Sequence, residues 1–295
     1  MKLVFSRKGI DSSFGNYASP IMPAGSLAWM PIPENSVNKP GLLSYKDIPF
    51  KNITLGKLIE DLSNGKINEN STVHLDPDIF DFHRNRKPGW KPLFGQTGAA
   101  ESHLRNKGVD VGDIFLFFGW FKKINQKDGK YIYERKAPDL HVAYGWLQIG
   151  EIRPVNKMQS FEAWMNGHPH LLGTTYNNLD TLYIASSNLI INGEETKYKG
   201  YGYFSKIFQE IVFTAEGETR SVWKLPKWIY PSQGKPALSY NEDAKRWNLQ
   251  GESVILHSAS RGQEFVLDTE YYPESIPWLL RLLEKNSNSI KMCKP

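Results

Sequence analysis

The stretch that decides the fold is GQTGAAESHLRNKGVDVGDIFLFFGWF at Gly95–Phe121, followed after a charged excursion by DLHVAYGWLQIGEI at residues 139–152. Ile114–Phe121 consists only of apolar residues and glycine, which is typical of a strand covered on both faces. His141–Ile149 predicts a second, mostly apolar strand. Because a polar, lysine-rich connection of hairpin type joins the two, we expect Ile114–Phe121 and Tyr144–Ile149 to be adjacent and antiparallel.

The helix signals are fewer than the strand signals. Ala99–Arg105 predicts a short helix closed by Gly108, Thr54 is the expected N-cap of a helix over Leu55–Leu62, and Pro277–Lys285 predicts a last amphipathic helix. Further strands are predicted at Lys2–Phe5, Val73–Ile79, Thr181–Ala185, Leu189–Ile191, Phe204–Thr214, Val254–Leu256 and Glu264–Leu267. Since strands outnumber helices and do not alternate with them, the pattern favours a compact, β-rich α+β fold.

The chain has 295 residues, enough for one large domain or two closely joined ones. We found no linker long enough to divide it, so residues 1–295 are expected to form a single domain. The helix-to-strand order around Gly95–Ile152 is similar to that of PUA-like domains, which often bind a nucleobase. This resemblance predicts a small barrel over roughly residues 95–230, with a loop-rich N-terminal segment and the C-terminal helix packed on it.

Composition limits the classes of protein that need to be considered. The net charge of +5 permits a polyanionic partner without requiring one. Cys293 is the only cysteine, which excludes a disulfide within the chain and a cysteine-based zinc site. No apolar run approaches the ~20 residues that a membrane span needs, and the apolar start is too short for a secretory signal. We therefore expect a cytoplasmic protein without a membrane partner; the oligomeric state and any cofactor stay open.

The loop after the first predicted strand is the best candidate for contact with an anion. It contains Arg7 and Lys8, the hydroxyls of Ser12 and Ser13, and glycines on either side of Asp11. Backbone amides and cationic side chains in such a loop can converge on a phosphate. The spacing is neither that of a P-loop nor that of a dinucleotide-binding turn. The alternative is an ordinary solvated loop in which Asp11 forms an Asx turn.

Two short segments contain histidines and carboxylates at alternate positions. His74, Asp76 and Asp78 are two residues apart, as are His168 and His170. The number and types of these residues would allow a metal site formed by His74, Asp76, His168 and His170. Asp76 or Asp78 is also a candidate general base. Because proline interrupts both segments, we expect no metal, with His74 and His170 paired to backbone or carboxylate groups instead.

Other residues suit recognition of a nucleobase. Gln96 and Gln263 each follow glycine, and an amide offers a donor and an acceptor to a base edge. Trp120 and Trp146 are candidate stacking faces. His141, at the start of the second strand, is either a structural residue or a catalytic one. The candidate catalytic residues are Asp11, His74, Asp76, Asp78 and His141.

A series of ordered motifs resembles one family. They are FSRKGIDSS with the following SPI, VHLDPD, GWKPLFGQTGAA, GDIFLFFGWF, LHVAYGWLQIGEI, HPH, TLYIA, SVWKLPKW and GQEFVLD. Together they span about Lys2 to Asp268 and resemble the third family of nucleotide-modification-associated domains. The resemblance implies an association with DNA or nucleotide modification in bacteria and their phages, including a defence context. The resemblance does not imply a particular reaction or a particular catalytic residue.

The leading hypothesis is a protein that binds a nucleotide or a nucleobase in nucleic acid. In this hypothesis Arg7, Lys8 and the loop serines contact phosphate, Gln96 or Gln263 reads polar edges, and Trp120 and Trp146 enclose the base. The second hypothesis is a metal-assisted hydrolase or transferase that acts on a nucleotide. The third is a regulatory interaction module without chemistry. Whether the protein is an enzyme stays open at this level.

Overall fold

The computed structural model describes residues 1–34, 41–173, 176–232 and 234–291 of the chain. Its described strands are β1 (Lys2–Arg7), β2 (Ser19–Ile21), β3 (Ile32–Pro33), β4 (Pro49–Phe50), β5 (Ile53–Thr54), β6 (Val73–His74), β7 (Leu93–Gln96), β8 (Ile114–Lys127), β9 (Lys130–Tyr133), β10 (Leu140–Pro154), β11 (Thr181–Ala185), β12 (Asn188–Ile191), β13 (Glu194–Lys199), β14 (Tyr201–Tyr203), β15 (Val222–Pro226), β16 (Trp247–Gln250), β17 (Ser253–His257) and β18 (Glu264–Asp268). The α-helices are α1 (Leu55–Ser63), α2 (Gly98–Asn106) and α3 (Ser275–Lys291). Short 3₁₀ helices lie at Tyr45–Asp47, Val155–Lys157, Ala163–Met165, Pro169–Leu171, Gln209–Ile211, Lys227–Ile229 and Ala244–Arg246.

One mixed sheet organises the described chain. Its strands follow the order β18-β1-β8-β10-β11-β7, with β14 paired to β10, and β2 and β9 paired to β8. The strand β8 runs parallel to β1 and to β2, whereas the other pairings in this sheet are antiparallel. Strands from both ends of the chain therefore belong to the same sheet, and the fold is a β-rich α+β fold as predicted.

The predicted pairing of the two long strands is confirmed. In the antiparallel ladder of β8 and β10, Trp120 pairs with His141 and Ile114 pairs with Gln148. The polar connection also forms a hairpin, because β8 continues beyond the apolar run and pairs with β9. Asp128 and Gly129 at its turn both have positive φ, 51° and 76°, the combination that suits a tight two-residue hairpin turn.

The helix predictions were correct in position. In α1 the Thr54 side chain accepts a hydrogen bond from Lys57 N at 3.3 Å, and Asn64 ends the helix in the left-handed region. The helix α2 is followed by Gly108 at φ 64°, the conformation expected of a residue just beyond a helix C-terminus. The helix α3 begins two residues before Pro277 and extends further than predicted.

Aromatic side chains fill both faces of the sheet. On one face Phe5 packs against Phe213 and Trp278, and Trp278 belongs to α3. On the other face Phe117 packs against Phe94 and Tyr144. The four phenylalanines among these rings are at most 1% exposed, and burying each contributes about 1.5–3 kcal/mol to stability. The uninterrupted apolar run of β8 therefore reflects a strand covered on both sides.

Several predicted features differ in the structure. Among the described strands β18 and β7 are not paired, so the sheet is not a closed barrel, although Gln96 Nε2 donates to Glu264 Oε1 across this gap at 2.7 Å. The strand predicted over Val73–Ile79, with a break at Pro77, is limited to Val73–His74, and Phe204–Thr214 forms a bend and a 3₁₀ turn instead of a strand. No described helix is long and apolar enough to cross a membrane. Cys293 lies outside the described residues.

Candidate functional site

The loop after β1 lies on a cleft of about 790 Å³. Five residues singled out from the sequence line it, namely Arg7, Asp11, Ser12, Ser13 and His141. The lining also includes Arg220, from the turn before β15. The cleft therefore collects the predicted anion loop, the histidine at the start of β10 and an arginine that is distant in sequence.

The shape of the loop depends on Asp11 and on glycine. Asp11 Oδ1 accepts hydrogen bonds from Ser13 N at 2.8 Å and from Phe14 N at 2.9 Å, which is the Asx turn considered above. Gly9 has φ +96°, and a Cβ there would lie 2.4 Å from Trp29 Nε1. Only glycine fits such a position without a shift of its neighbours. The Asp11 carboxylate is thus engaged in holding the loop that borders the cleft.

Arg7 and Arg220 are the cationic side chains of the cleft, whose lining also includes the carboxylates of Asp11, Asp139 and Glu218. Arg7 Nη2 donates to Gly262 O at 3.2 Å, and its buried Nε has no partner among the described residues. Arg220 Nη2 donates to Ser12 Oγ at 3.0 Å, and its guanidinium lies 4.3 Å from the ring centre of Trp120. Within the described chain neither arginine lies within 4.0 Å of a carboxylate oxygen. Two cations without a carboxylate partner on one cleft are suited to binding an anion.

His141 is a neutral donor or acceptor at the bottom of the cleft. Its Nδ1 accepts a hydrogen bond from Trp223 Nε1 at 3.0 Å, and the side chain is buried. Burial, followed by the charges of Arg7 and Arg220, lowers the pKa of His141 to about 3. Because Nδ1 accepts, the neutral ring carries its proton on Nε2. At neutral pH His141 can therefore donate a hydrogen bond from Nε2, but it does not add a positive charge.

Lys8 and Gln96 lie on the other face of the sheet. Lys8 Nζ is 2.8 Å from Glu264 Oε1 and 4.7 Å from the ring centre of Phe94. Gln96 Nε2 donates to the same carboxylate oxygen. Because successive residues at the end of β1 point to opposite faces, Arg7 faces the cleft while Lys8 faces the interior. In this structure the side chains of Lys8 and Gln96 therefore contact Glu264, and their contact with ligand groups stays a prediction.

The interior around Glu264 contains polar atoms without partners. Ser6 Oγ, Tyr144 Oη and Glu264 Oε2 are buried and have no hydrogen-bond partner within the described residues. Burial first, then the charges of Asp76 and Glu264, raise the pKa of Tyr144 well above its ordinary value. Tyr144 therefore keeps its proton and remains a potential hydrogen-bond donor.

The two tryptophans chosen as stacking faces are differently placed. Trp120 borders a small pocket beside Arg7, and its Nε1 donates to Asp139 Oδ1 at 2.8 Å. Trp146 is 7% exposed and packs so closely on Gly202 that a Cβ there would lie 2.5 Å from the ring. Its Nε1 donates to Lys199 O at 3.1 Å. Trp120 is therefore near the cleft, whereas the contacts of Trp146 are those of a core side chain.

Gln263 lies directly beside the cleft arginine. Its backbone carbonyl accepts a hydrogen bond from Arg7 N at 2.8 Å, where β18 begins next to β1. The neighbouring Gly262 accepts from the guanidinium. The Gly-Gln pair at 262–263 therefore positions Arg7 through its backbone.

The histidine and carboxylate segments also come together, at a separate place. His74 Nε2 lies 3.3 Å from His170 Nε2, and His170 Nε2 lies 3.5 Å from Asp76 Oδ2. His168 Nε2 lies 3.3 Å from Asp76 Oδ1, without the alignment of a hydrogen bond. Burial by itself raises the pKa of Asp76, but the contacts with His168 and His170 outweigh it and lower the pKa. Asp76 is thus a buried carboxylate held in its charged form.

Asp78 belongs to a different group. Its carboxylate accepts from Arg84 Nη2 at 3.0 Å and from Arg86 Nη1 and Nη2 at 2.8 and 2.6 Å. Burial raises its pKa, but Arg86 and Arg84 outweigh this and lower it. A carboxylate bound by two guanidinium groups and held ionised is a poor proton acceptor. These contacts assign Asp78 to anchoring the loop 80–86, in place of the general-base role considered from the sequence.

Sequence reasoning missed an aromatic pocket of about 400 Å³. Its wall includes Trp29, Phe50, Phe80, Phe82, His83 and Tyr203. His83 is 2% exposed and its Nδ1 has no hydrogen-bond partner in the described chain. Burial lowers the pKa of His83 to about 3. The charge of Asp78 opposes this shift, and the charge of Arg86 adds to it. The sequence shows Phe80, Phe82 and His83 close together but gives no sign that Trp29 and Tyr203 join them.

Arg220 was missed for a related reason. It stands in a polar turn, GETRS, that resembles any solvated turn. It reaches the cleft through the fold, because β15, which follows it, pairs with β17, and residues on either side of this pair line the cleft with Arg7. Only a sequence signal that relates Arg220 to Arg7, more than two hundred positions away, would have identified Arg220 as a residue of the cleft.

A further depression of about 740 Å³ lies beside Gln148 and Asp113. Gln148 Nε2 donates to Gly112 O and Ile190 O, and Asp113 accepts from the backbone of Lys2 and Asp110. These polar side chains are already engaged within the protein. The depression therefore offers fewer free groups than the arginine cleft.

Comparison with known proteins agrees with the motif order. No curated protein and no solved structure matches the chain. Residues 2–268 match the family model described as nucleotide modification associated domain 3. That range contains Arg7, Arg220, the group formed by His74, Asp76, His168 and His170, and the aromatic pocket. The chain therefore belongs to the family of nucleotide modification associated domain 3, and its association is with nucleotide modification.

Proposed function

We propose that the protein binds a nucleotide, free or within a nucleic-acid strand, with its phosphate in the cleft between Arg7 and Arg220. The observation that carries this proposal is the pair of arginines without carboxylate partners among the described residues. Arg220 is held by Ser12 and by the face of Trp120, so its guanidinium is partly ordered before a ligand arrives. A preordered cation loses less side-chain entropy on binding. The family association with nucleotide modification supports the same ligand class.

The remaining groups of the cleft suit a phosphate as well. Ser12 and Ser13 add hydroxyls at its rim, and neutral His141 adds a donor at its base. Phosphate oxygens accept such hydrogen bonds, and guanidinium groups bind them with two parallel bonds. The cleft thus provides two guanidinium groups and directional hydrogen-bond donors.

The aromatic pocket is the proposed place for a base. A nucleobase needs ring faces for stacking and a polar atom to read its edge. Phe82 and Tyr203 supply faces, and the unpartnered Nδ1 of His83 supplies a polar atom. This assignment replaces the enclosure of a base by Trp120 and Trp146 that the sequence indicated, because Trp146 is packed within the core.

The phosphate cleft is tested by titrating the protein with inorganic pyrophosphate and with a nucleoside 5′-monophosphate, followed by calorimetry and tryptophan fluorescence. Arg220→Gln is expected to weaken both ligands about tenfold or more, since a hydrogen bond to a charged group contributes about 1.5–3 kcal/mol. Binding to the native protein is expected to weaken as salt is raised. The matched control is Arg281→Gln, which removes the same charge from an exposed position on α3. Equal affinities for the Arg220 and Arg281 variants would refute the phosphate assignment.

The base pocket is tested separately with the unphosphorylated nucleoside. Phe82→Ala is expected to weaken nucleoside binding by about 1–3 kcal/mol, the contribution of one stacked base. Tyr271→Ala is the control, because Tyr271 is 46% exposed and does not line the pocket. Equal nucleoside binding by these two variants would show that the base does not bind in this pocket. The assignment of the phosphate to the cleft would not be affected.

A further inference from the structure

Three side chains from separated segments converge on one point outside the cleft. His74 ends β6, Asp76 follows two residues later, and His170 lies in the 3₁₀ helix Pro169–Leu171. One ligating atom from each lies within 4.8 Å of the others. Two imidazoles and a carboxylate are a donor set that zinc and other first-row divalent metals bind.

The spacing of the donor atoms matches that of ligands around one ion. His74 Nε2 and His170 Nε2 are 3.3 Å apart, and His170 Nε2 and Asp76 Oδ2 are 3.5 Å apart. Ligands at about 2.0–2.2 Å from an ion in tetrahedral geometry lie about 3.3–3.6 Å from one another. The two measured separations fall in this range, so one ion between the three atoms requires no large movement.

The contacts behind these atoms orient them toward each other. His74 Nδ1 lies 3.4 Å from Glu34 Oε2, and in the tautomer that carries its proton on Nδ1 the His74 ring donates to Glu34 and presents the lone pair of Nε2 toward His170. Gly95 N donates to Asp76 Oδ1 at 2.8 Å, which leaves Oδ2 facing His170. A carboxylate behind the distal nitrogen of a metal-binding histidine is the usual outer contact at such sites.

His170 packs directly on β7 because Gly95 of this strand has no side chain. A Cβ at Gly95 would lie 2.3 Å from His170 Cδ2, so the ring rests directly on the strand that also binds Asp76. The proline in each segment, which argued against a site at the level of sequence, therefore does not decide its geometry. The strand β7 positions both Asp76 and His170, and it does so through its backbone.

The cluster is open enough to admit an ion. The side chains of His74, His170 and Asp76 are 24%, 12% and 5% exposed. Three protein ligands leave at least one coordination position for water or substrate, as in catalytic zinc sites. We propose that His74 Nε2, Asp76 Oδ2 and His170 Nε2 bind a divalent transition-metal ion of the zinc class, with one coordination position open to solvent.

Metal binding is tested on the full chain after removal of bound metal with a chelator. Calorimetric titration with Zn²⁺ is expected to give one site, and Co²⁺ is expected to give the intense visible bands of four-coordinate geometry. His74→Ala and His170→Gln are each expected to weaken binding at least a hundredfold. Glu34→Gln is expected to weaken it about 10–100-fold, the usual effect of losing an outer carboxylate. His257→Ala is the matched control, since His257 is exposed and lies outside the cluster.

Folding is followed in the same experiment, so that a damaged variant is recognised. Circular dichroism is recorded for each variant, and the melting temperature of the native protein is measured against Zn²⁺ concentration. A bound ion raises the melting temperature in proportion to the logarithm of its concentration, and His170→Gln is expected to abolish this rise. The proposal is overturned if the native chain binds Zn²⁺ no better than His74→Ala, or if His257→Ala loses the same affinity. Neither result depends on nucleotide binding.

Discussion

Replacing Lys8 by methionine leaves a buried carboxylate without its counter-charge. The Lys8 side chain is 10% exposed and that of Glu264 is fully buried, with Nζ and Oε1 2.8 Å apart. Gln96 remains as one neutral donor to Glu264, and Oε2 already has no partner among the described residues. Removing one partner of a buried ion pair costs about 3–5 kcal/mol, which is the expected loss for Lys8→Met.

The size of this loss sets the expected change in melting temperature. An unfolding entropy of about 2.1 cal/mol/K per residue gives about 0.6 kcal/mol/K for a chain of 295 residues. Lys8→Met is therefore expected to lower the melting temperature by about 5–8 °C. Urea unfolding monitored by circular dichroism and by tryptophan fluorescence measures the free energy of unfolding directly.

The double variant provides the decisive comparison. Glu264→Gln alone removes the carboxylate charge and leaves the Lys8 ammonium unpaired, so it is expected to be destabilising. In the Lys8→Met background the same change removes the unpaired charge, so it is expected to be stabilising. A double-mutant cycle with a coupling energy of about 3 kcal/mol supports this account. Additive effects, or a loss under 1 kcal/mol for Lys8→Met, would show that Lys8 is not committed to Glu264 and would return it to the candidates for phosphate contact.

Two further predictions concern buried ionisable groups. His141 has a pKa of about 3 in the folded chain against 6.5 for an unperturbed histidine, so between these values the unfolded chain binds the extra proton. Its contribution to stability is therefore complete above pH 6.5 and is lost as the pH falls. His141→Gln is expected to reduce the pH dependence of the unfolding free energy by up to one proton, about 1.4 kcal/mol per pH unit; an unchanged slope between pH 6.5 and 4 would contradict this. Asp78→Asn is expected to cost about 3 kcal/mol in urea unfolding, because the nearly buried Arg84 and Arg86 lose their shared counter-charge. Asp81→Asn, at an exposed position in the same loop, is the control, and equal stability of the two variants would disprove the anchoring role.

Much of the secondary structure could be predicted because it depends on neighbours in the chain. The caps of α1 at Thr54 and Asn64 are local contacts, and so is the turn at Asp128-Gly129. The adjacency of β8 and β10 followed from two apolar runs joined by a short polar hairpin. Phe204–Thr214 was predicted as a strand, yet its backbone forms a bend and a 3₁₀ turn and donates hydrogen bonds to β10, from Phe204 and Phe213, and to Asn286 of α3, from Ser205.

The sequence by itself determined the fold class, the family and the loop from Arg7 to Ser13 as a candidate site, because these depend on motif order and on local chemistry. Only the tertiary structure decided which residues share a site. The alternation of β1 separates the side chain of Arg7 from that of Lys8, the fold brings Arg220 to the cleft that Arg7 lines, and β7 holds Asp76 beside His170. Such contacts arise when strands distant in the chain pair and pack together. The local sequence pattern does not show which residues will be in contact. Hydrophobic burial fixes the alignment of the strands, and the positions of the polar side chains follow from that alignment.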